Sequence, residues 1–344
     1  MKEINTVDAV GQVLCHDITQ IIRGVTKDAR FRKGHIITAK DIPILLSLGK
    51  DHLYVWEKTA GMLHEDEAAE ILRQACQDIN MAASAPKEGK IEITAQCAGV
   101  LKVDIERLAA INSLDDIIIA TRHNNTPVRP GDKLAGMRVI PLVIKNEKIQ
   151  MVRKIGGTAP LLRILPYRQG TVGVVTTGSE VYYGRIKDTF TPVIADKLHA
   201  YGLQVDDHRL TDDNPAHIAD AIQSLLQGGM DIILCTGGMS VDPDDMTPAA
   251  TRQTGARIVT YGVPVLPGAM FLLAYYEKNG RTVPIMGLPG CVMYADTTVF
   301  DLVFPRVLAG EIIKKQELIG LGHGGLCLAC DSCRYPACSF GKGR

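Results

Sequence analysis

Asp231-Ile232-Ile233-Leu234-Cys235-Thr236-Gly237-Gly238-Met239-Ser240 decides how the chain is to be read. Ile232 to Cys235 is an unbroken apolar run of strand length. It lacks the alternation of a strand with one wet face, so both of its faces are covered. The paired glycines stop the run and supply a tight turn. The same grammar repeats on either side. Val172-Gly173-Val174-Val175-Thr176 is a second buried strand, and it ends in Thr177-Gly178-Ser179-Glu180. Phe190, Val193, Ile194, Leu198 and Tyr201 then follow helical spacing, with Gly202 as the stop. Leu203-Gln204-Val205 opens the next strand, which leads to Asp212-Asp213. Asn214-Pro215 starts a helix with Ile218, Ile222, Leu225 and Leu226 as its apolar stripe. Thr282 to Met286 is a further strand, closed by Leu288-Pro289-Gly290, and Cys291 to Leu308 reads as the last helix.

Strands and helices alternating at this pitch predict an α/β fold over 169–310, a doubly wound, mostly parallel sheet with helices on both faces. Ligands of such sheets bind beyond the carboxyl ends of the strands. The glycine turns and carboxylates collect there, with Asp242, Asp244 and Asp245 after Ser240 and a Pro267-Gly268 turn further on. Glycine turns aim backbone N–H groups at an anion, and clustered carboxylates hold the cation that accompanies a phosphate. The reading is a site for a phosphorylated small molecule with a divalent cation. Taken singly, Glu180, Asp212 and Asp213 are ordinary turn or helix-start residues. Their shared position at one sheet edge is what makes them candidates.

The rest of the chain divides into a small β-rich N-terminal domain (1–58), an α+β middle domain (59–168) and a Cys-rich tail (311–344). In the first, Phe31 to Ile37 is a strand broken by a glycine turn, Asp41 to Leu48 a short helix, and Leu53 to Trp56 a closing strand. Trp56 reads as a core or interface residue. The second is expected to hold a helix over 62–84, strands at 90–95 and 116–121, a helix over 104–112 and a strand from Val139 to Ile144. Lys154 to Gln169 reads as a connector with some strand. Lysine plus arginine equals aspartate plus glutamate at 38 each, which argues against nucleic acid as a partner. No apolar run approaches the ~18–20 residues of a membrane span, and Met1-Lys2-Glu3-Ile4-Asn5 has no signal-peptide core. A cytoplasmic protein without a membrane partner is expected.

The ordered turns resemble the molybdopterin-binding domain of the molybdenum-cofactor biosynthesis proteins, the molybdopterin adenylyltransferases and molybdenumtransferases. The resemblance covers roughly 170–308 and rests on T-T-G-S-E at 176–180, Asp188-Thr189, T-D-D at 211–213, T-G-G-M-S at 236–240, D-D-M-T-P at 244–248, P-G at 267–268 and L-P-G at 288–290. The N-terminal unit is similar to that of the transferases more weakly. The resemblance implies that Gly237, Gly238 and Ser240 offer donors to the terminal phosphate of molybdopterin. It implies catalytic roles for Glu180, Asp213 and Asp245 beside the pterin and its Mg2+ or molybdate. It implies a pterin-binding set that also includes Thr177, Gly178, Ser179, Asp188, Asp212, Met239, Asp242, Pro289 and Gly290. A homodimer or higher homo-oligomer is implied as well.

The chain departs from the transferase pattern at Ala269, where a lysine usually follows the proline-glycine turn, at Cys291 in place of asparagine, and at Phe190. The acidic Asp-Gly-Tyr-Ala segment is absent from 60–140. A lost lysine removes a charged donor worth roughly 1.5–3 kcal/mol. Two functions follow. One is an enzyme that binds molybdopterin or its adenylylated form with Mg2+ and promotes molybdate insertion. The other is a carrier or chaperone that delivers the pterin to a recipient molybdoenzyme. A nucleotide hydrolase of the competence-damage type shares the domain, but no second deamidase domain accompanies it here.

Four of the nine cysteines crowd the tail as Cys327, Cys330, Cys333 and Cys338, spaced C-x2-C-x2-C-x4-C. In a reducing compartment such crowding suggests metal before disulfide. Four thiolates suit tetrahedral zinc. The first three also match an iron–sulfur run, with the last gap one residue longer. Unliganded, reactive thiols are the third alternative.

Overall fold

The computed structural model describes residues 2–22, 24–55, 60–240 and 242–343. Trp56 and the expected domain boundary at 58 lie outside the described residues. The chain forms two compact units. One is built from 1–97, 101–124 and 128–164, the other from 98–100, 125–127 and 165–344.

The first unit holds two apolar cores. The smaller gathers Ala9, Leu14, Ile18, Phe31, Ile37, Leu45 and Leu53. Around it lie a hairpin of Ile18–Ile22 and Thr26–Phe31, a short helix Ile42–Ser47, and the antiparallel pair Lys2–Asn5 and His52–Val55. The larger core is covered by an antiparallel sheet in the order Met81–Ala83, Ile91–Ala95, Lys133–Val139, Ile117–Thr121. The helices Glu65–Cys76, Ile105–Asn112 and Asn146–Gly156 belong to the same unit.

The helix expected over 62–84 is shorter, for identifiable reasons. Met62–His64 pairs as a strand with Val143–Lys145. His64 then caps the helix: its ring accepts from Asp66 N, and Glu67 returns a bond to His64 N at 2.9 Å. After Cys76 the chain turns through Asn80, at φ 63°, into the Met81–Ala83 strand. The expected connector 154–169 contains the end of the Asn146–Gly156 helix and the strand Leu162–Pro166.

The second unit is the α/β domain. Its strands are β1 (Val172–Thr177), β2 (Asp207–Thr211), β3 (Ile232–Thr236), β4 (Arg257–Tyr261), β5 (Leu272–Lys278) and β6 (Arg281–Leu288). They form one mixed sheet in the order β2-β1-β3-β6-β5-β4. β2, β1, β3 and β6 are mutually parallel, while β5 alone is reversed, pairing antiparallel with both β6 and β4. Its helices are α1 (Ser179–Tyr182), α2 (Phe190–His199), α3 (Pro215–Gln227), α4 (Thr247–Gln253), α5 (Val299–Leu308) and α6 (Lys315–Gly320).

Alternate side chains of each strand enter two different cores. Val172, Val174, Ile232, Leu234 and Met286 pack with Ile194 and Leu198 of α2 and with most of α5. Val175, Ile233, Cys235 and Ile285 pack with Ile218, Ile222 and Leu225 of α3 and Ala250 of α4. Helices therefore cover both faces, which is why the strands read as continuous apolar runs.

Two boundaries differ from the sequence reading. The second strand starts at Asp207 rather than Leu203, because β2 is an edge strand with mostly exposed, polar side chains, while Leu203 is buried in the core before it. The last helix starts at Val299, where Thr298 caps it with Asp301 in return. Gly290–Met293 is a separate 3-10 turn. Among the described residues no helix is long and apolar enough to cross a membrane.

Glu65 heads the first long helix of the first unit and is only 6% exposed. Burial first, and then the neighbouring Asp66 charge, push its carboxyl from 4.5 up to about 7, against the pull of Arg138 and Lys33. A carboxyl whose folded value is raised holds its proton more tightly in the folded state. Its stabilisation is complete below the unfolded value and is lost as pH rises through about 7. Glu65→Gln is expected to flatten the stability profile between these limits and to raise stability at pH 8 by up to ~2–3 kcal/mol. Urea unfolding of both proteins at the two ends of this range measures it, and parallel profiles would refute it.

Candidate functional site at the carboxyl ends of the parallel strands

The registers bring the turns together. Thr177 lies opposite Thr211, Thr176 opposite Thr236, and Thr236 opposite Leu288. The loops Gly178–Glu180, Asp212–Asp213, Gly237–Ser240 and Pro289–Gly290 therefore leave one edge of the sheet. The Pro267-Gly268 turn joins them because β5 is antiparallel and begins at this edge, with Leu272 opposite Gly287.

At its centre β1 and β3 approach so closely that only glycine fits. A Cβ on Gly237 would lie 2.3 Å from the Thr177 carbonyl oxygen, and φ there is +83°. A Cβ on Gly238 would lie 2.8 Å from Thr247 Oγ1, with φ at +57°. Thr247 fastens the turn at the head of α4. Its hydroxyl donates to Gly237 O at 2.9 Å and its N–H to Gly238 O at 3.2 Å. Tyr261 fastens the other side, its hydroxyl bonding the carbonyls of Met239 (3.1 Å) and Ser240 (2.9 Å). Burial and the charge of Asp245 raise its phenol above the ordinary value.

Thr177 Oγ1 lies inside this cradle. Thr177 is 4% exposed, and among the described residues its hydroxyl is the buried side-chain oxygen or nitrogen with no partner. Buried polar groups are nearly always bonded, so this orphan hydroxyl at a glycine turn sets Thr177 apart from the other strand-end threonines.

Beneath the edge runs a chain of bonded hydroxyls. Thr236 Oγ1 donates to Thr176 Oγ1 at 3.1 Å, and Thr191 Oγ1 and His208 Nε2 lie 3.2 and 3.0 Å from the same atom. Asp188 ends the chain. It accepts from Phe190 N (2.8 Å), Thr191 N (3.1 Å) and the Thr191 hydroxyl, and so caps α2. Burial works against its charge, but the Thr191 and Phe190 donors outweigh it and hold the carboxyl below the ordinary value.

The candidate carboxylates sit at the same edge with distinct tasks. Asp213 Oδ2 accepts Ser179 N at 2.8 Å and ties the first turn to the second. Asp212 is held by His217 (2.9 Å) and Asn214 N (3.1 Å), His217 being the main reason its carboxyl is lowered. Asp245 Oδ2 accepts Asp242 N at 2.9 Å within its own turn. Glu180 is exposed and folds over Gly178. Among the described residues no three His, Cys, Asp or Glu side chains are grouped closely enough to hold a metal ion. Met239 turns its side chain into the core against Gly287. Pro289 is buried, and Gly290 has open space where a Cβ would stand.

The tail is fastened to this domain. Leu266 N donates to Gly325 O and Cys327 N to Leu266 O, both at 2.8 Å, so the tail runs beside the Pro267-Gly268 turn. Phe340 is 3% exposed in the α5 core, and the Tyr335 hydroxyl bonds Asp301 O at 3.1 Å. Cys327, Cys330, Cys333 and Cys338 are free thiols that line one cavity of about 460 Å3.

The parallel strands of this mixed α/β sheet end in glycine turns at one edge, where sheets of this kind place their ligand sites. Residues 173–309 match the family described as "Probable molybdopterin binding domain", and over that segment the chain carries a domain of this family. Residues 3–57 match a family described only as a domain of unknown function. The molybdopterin molybdenumtransferase of Synechococcus elongatus is 26% identical over 199 residues, 55% of this chain and 46% of that protein. A CinA-like protein of Mycolicibacterium gilvum is 39% identical over 75 residues, 22% of this chain and 18% of that protein. The chain thus spans less than half the length of these curated relatives. Among solved structures, the tungsten cofactor synthesizing protein MoaB from Pyrococcus furiosus aligns with 36% of this chain and 84% of its own, at 17% identity and a TM-score of 0.32.

Sequence reading missed three members of the site: His208, Thr247 and Tyr261. The available signal was the threonines ending successive strands, Thr176-Thr177, Thr211 and Thr236, whose hydroxyls need partners once buried. Gly237→Ala is expected to destabilise the domain by roughly 1–3 kcal/mol, because the backbone oxygen it meets cannot yield. Gly290→Ala should stay within ~0.5 kcal/mol. Thermal unfolding separates them, and equal stability of the two variants would refute the packing argument.

Proposed function

We propose that the strand-end edge binds molybdopterin or its adenylylated form with Mg2+ and promotes molybdate insertion. The observation that carries this reading is the orphan hydroxyl of Thr177, enclosed by Gly237 and Gly238 in a segment that matches the molybdopterin-binding family. Gly237, Gly238, Ser240 and Thr177 are the proposed donors to the terminal phosphate. Glu180, Asp245 and Asp212 or Asp213 are the proposed holders of Mg2+, an all-oxygen set of the kind that ion prefers. Mg2+ held by these residues would supply charge neutralisation and Lewis acidity, although they are not grouped around a common cation position in the free chain. The protein supplies positioning, without a covalent nucleophile. The four tail thiols are proposed as ligands of a second metal.

The second reading, a carrier that hands the pterin to a molybdoenzyme, is favoured by Ala269. Its carbonyl accepts Val263 N at 2.9 Å, and it offers no cation beside the Pro267-Gly268 turn. Turnover decides between the two. Purified chain given adenylylated molybdopterin, Mg2+ and molybdate should yield cofactor, and Asp245→Asn should abolish the yield while sparing pterin binding. Tight binding with no yield from the unaltered protein would favour the carrier.

Thr177→Val tests the cradle itself. It removes a hydroxyl unbonded in the free protein, so the free domain should be as stable or slightly more so. Pterin affinity should fall about tenfold, the worth of one ~1.4 kcal/mol hydrogen bond. Calorimetric titration and thermal unfolding of the same variant give both values, and unchanged affinity would remove Thr177 from the site.

A further inference from the structure

The loop between β1 and α2 leaves the strand-end edge and returns to it with both ends fixed. At its start Gly178 N donates to Thr211 O at 3.2 Å and Ser179 N to Asp213 Oδ2 at 2.8 Å. At its end Asp188 caps α2 and joins the threonine network beneath the edge. Between them the chain closes on itself after α1, with Arg185 N and Ile186 N both donating to Glu180 O, at 2.8 and 3.1 Å. The loop is a formed structure rather than a slack connector.

Its outer residues are large and uncovered. Tyr182, Tyr183 and Ile186 are 48, 60 and 56% exposed. The two tyrosine rings meet edge to face at 5.1 Å, and the Arg185 guanidinium lies over the Tyr183 ring, 5.5 Å from its centre. After His217, the Tyr183 hydroxyl is among the donors that keep the Asp212 carboxyl below its ordinary value. Tyr183 is therefore oriented by three neighbours and still mostly in water. A ring held in this way has given up rotamer freedom without gaining burial, and a flat partner that covers it has less ordering left to offset.

The same loop carries the charge. Arg185 and Lys187 lie on it, and among the described residues neither is paired with a carboxylate. By contrast, Arg209 of β2 is bonded to Asp207 at 2.8 Å. The other turns of the edge have no lysine or arginine of their own, since both are absent throughout 210–251, 258–277 and 282–305. An anion at this edge meets its countercharge from the loop that also presents the exposed rings.

We propose that this loop is the ring-binding part of the site: Tyr183 stacks on the planar heteroaromatic ring of a phosphorylated ligand, and Arg185 and Lys187 face the ligand's negative charge. The inference deepens the function proposed above and rests on it for the place of the phosphate. A pterin and an adenine present the same flat surface, so the probes must separate them. The full chain is titrated calorimetrically with AMP, with a pterin phosphate, and with ribose 5-phosphate, which has the phosphate without the ring. AMP or the pterin phosphate should bind about tenfold more tightly than ribose 5-phosphate, and the one that does identifies the ring. Tyr183→Ala should remove that advantage and leave ribose 5-phosphate unaffected, while Tyr183→Phe should restore it. Arg185→Gln combined with Lys187→Gln should weaken all three probes and flatten their salt dependence. No advantage of either ring compound over ribose 5-phosphate, or unchanged binding by Tyr183→Ala, would overturn the proposal. Ring-dependent binding that Tyr183→Ala abolishes and Thr177→Val leaves untouched would uphold the loop's role and refute only the phosphate position at the glycine turns.

Discussion

The contact between Gly237 and the carbonyl of Thr177 is the constraint on which the α/β domain's working edge depends. Two parallel strands end side by side there, and the turn after the second must fold back across the end of the first. A Cβ at Gly237 would stand 2.3 Å from a backbone oxygen that cannot move without breaking the sheet. The turn is therefore closed by glycine or not at all. Once closed, it encloses the Thr177 hydroxyl and leaves it unbonded. The geometry that packs the two strands also isolates this hydroxyl from any partner within the chain.

Beneath this edge the opposite solution is used. The hydroxyls of Thr236, Thr176 and Thr191 are bonded in series to His208 and to Asp188, which caps α2. Thr236 and Thr176 are buried, and the bonds to Thr191, Asp188 and His208 carry the series outward, each member orienting the next. The edge thus has a stiff, satisfied floor and one unsatisfied atom above it. That contrast, rather than the number of polar groups, sets Thr177 apart from the bonded threonines here. Asp188 is scaffold in this sense, its oxygens engaged by the head of the helix.

The tail shows the same separation of scaffold from site. Phe340, Tyr335 and the Leu266 pairing hold the cysteine segment on the domain by apolar burial and backbone bonds. Cys327 and Cys338 add to that burial and Cys333 Sγ lies 3.2 Å from the Thr297 hydroxyl, and none of the thiols is in a disulfide. Residues at both ends of the segment give it a defined shape.

How much was legible follows from where each signal resides. The continuous apolar runs of β1 and β3 could be read directly, because burial on both faces leaves its mark on every residue. β2 starts later than read and β4 goes unread because each is a largely exposed edge strand, whereas β5 carries a legible apolar run, Leu272 to Tyr275, buried on both faces. The capping of the first long helix by His64 was hidden for a related reason: histidine is an uncommon cap, and Met62–His64 became a strand only through pairing with Val143–Lys145. By itself the sequence determined the alternation of strand and helix, the glycine turns and the cysteine spacing, all of which depend on residues close together in the chain. Tertiary structure alone decided that Asp213 ties one turn to another, that Met239 packs inward, that His208, Thr247 and Tyr261 support the edge, and that four thiols share one cavity. These depend on strand register and on which groups meet after burial, and neither is recorded in any local stretch of residues.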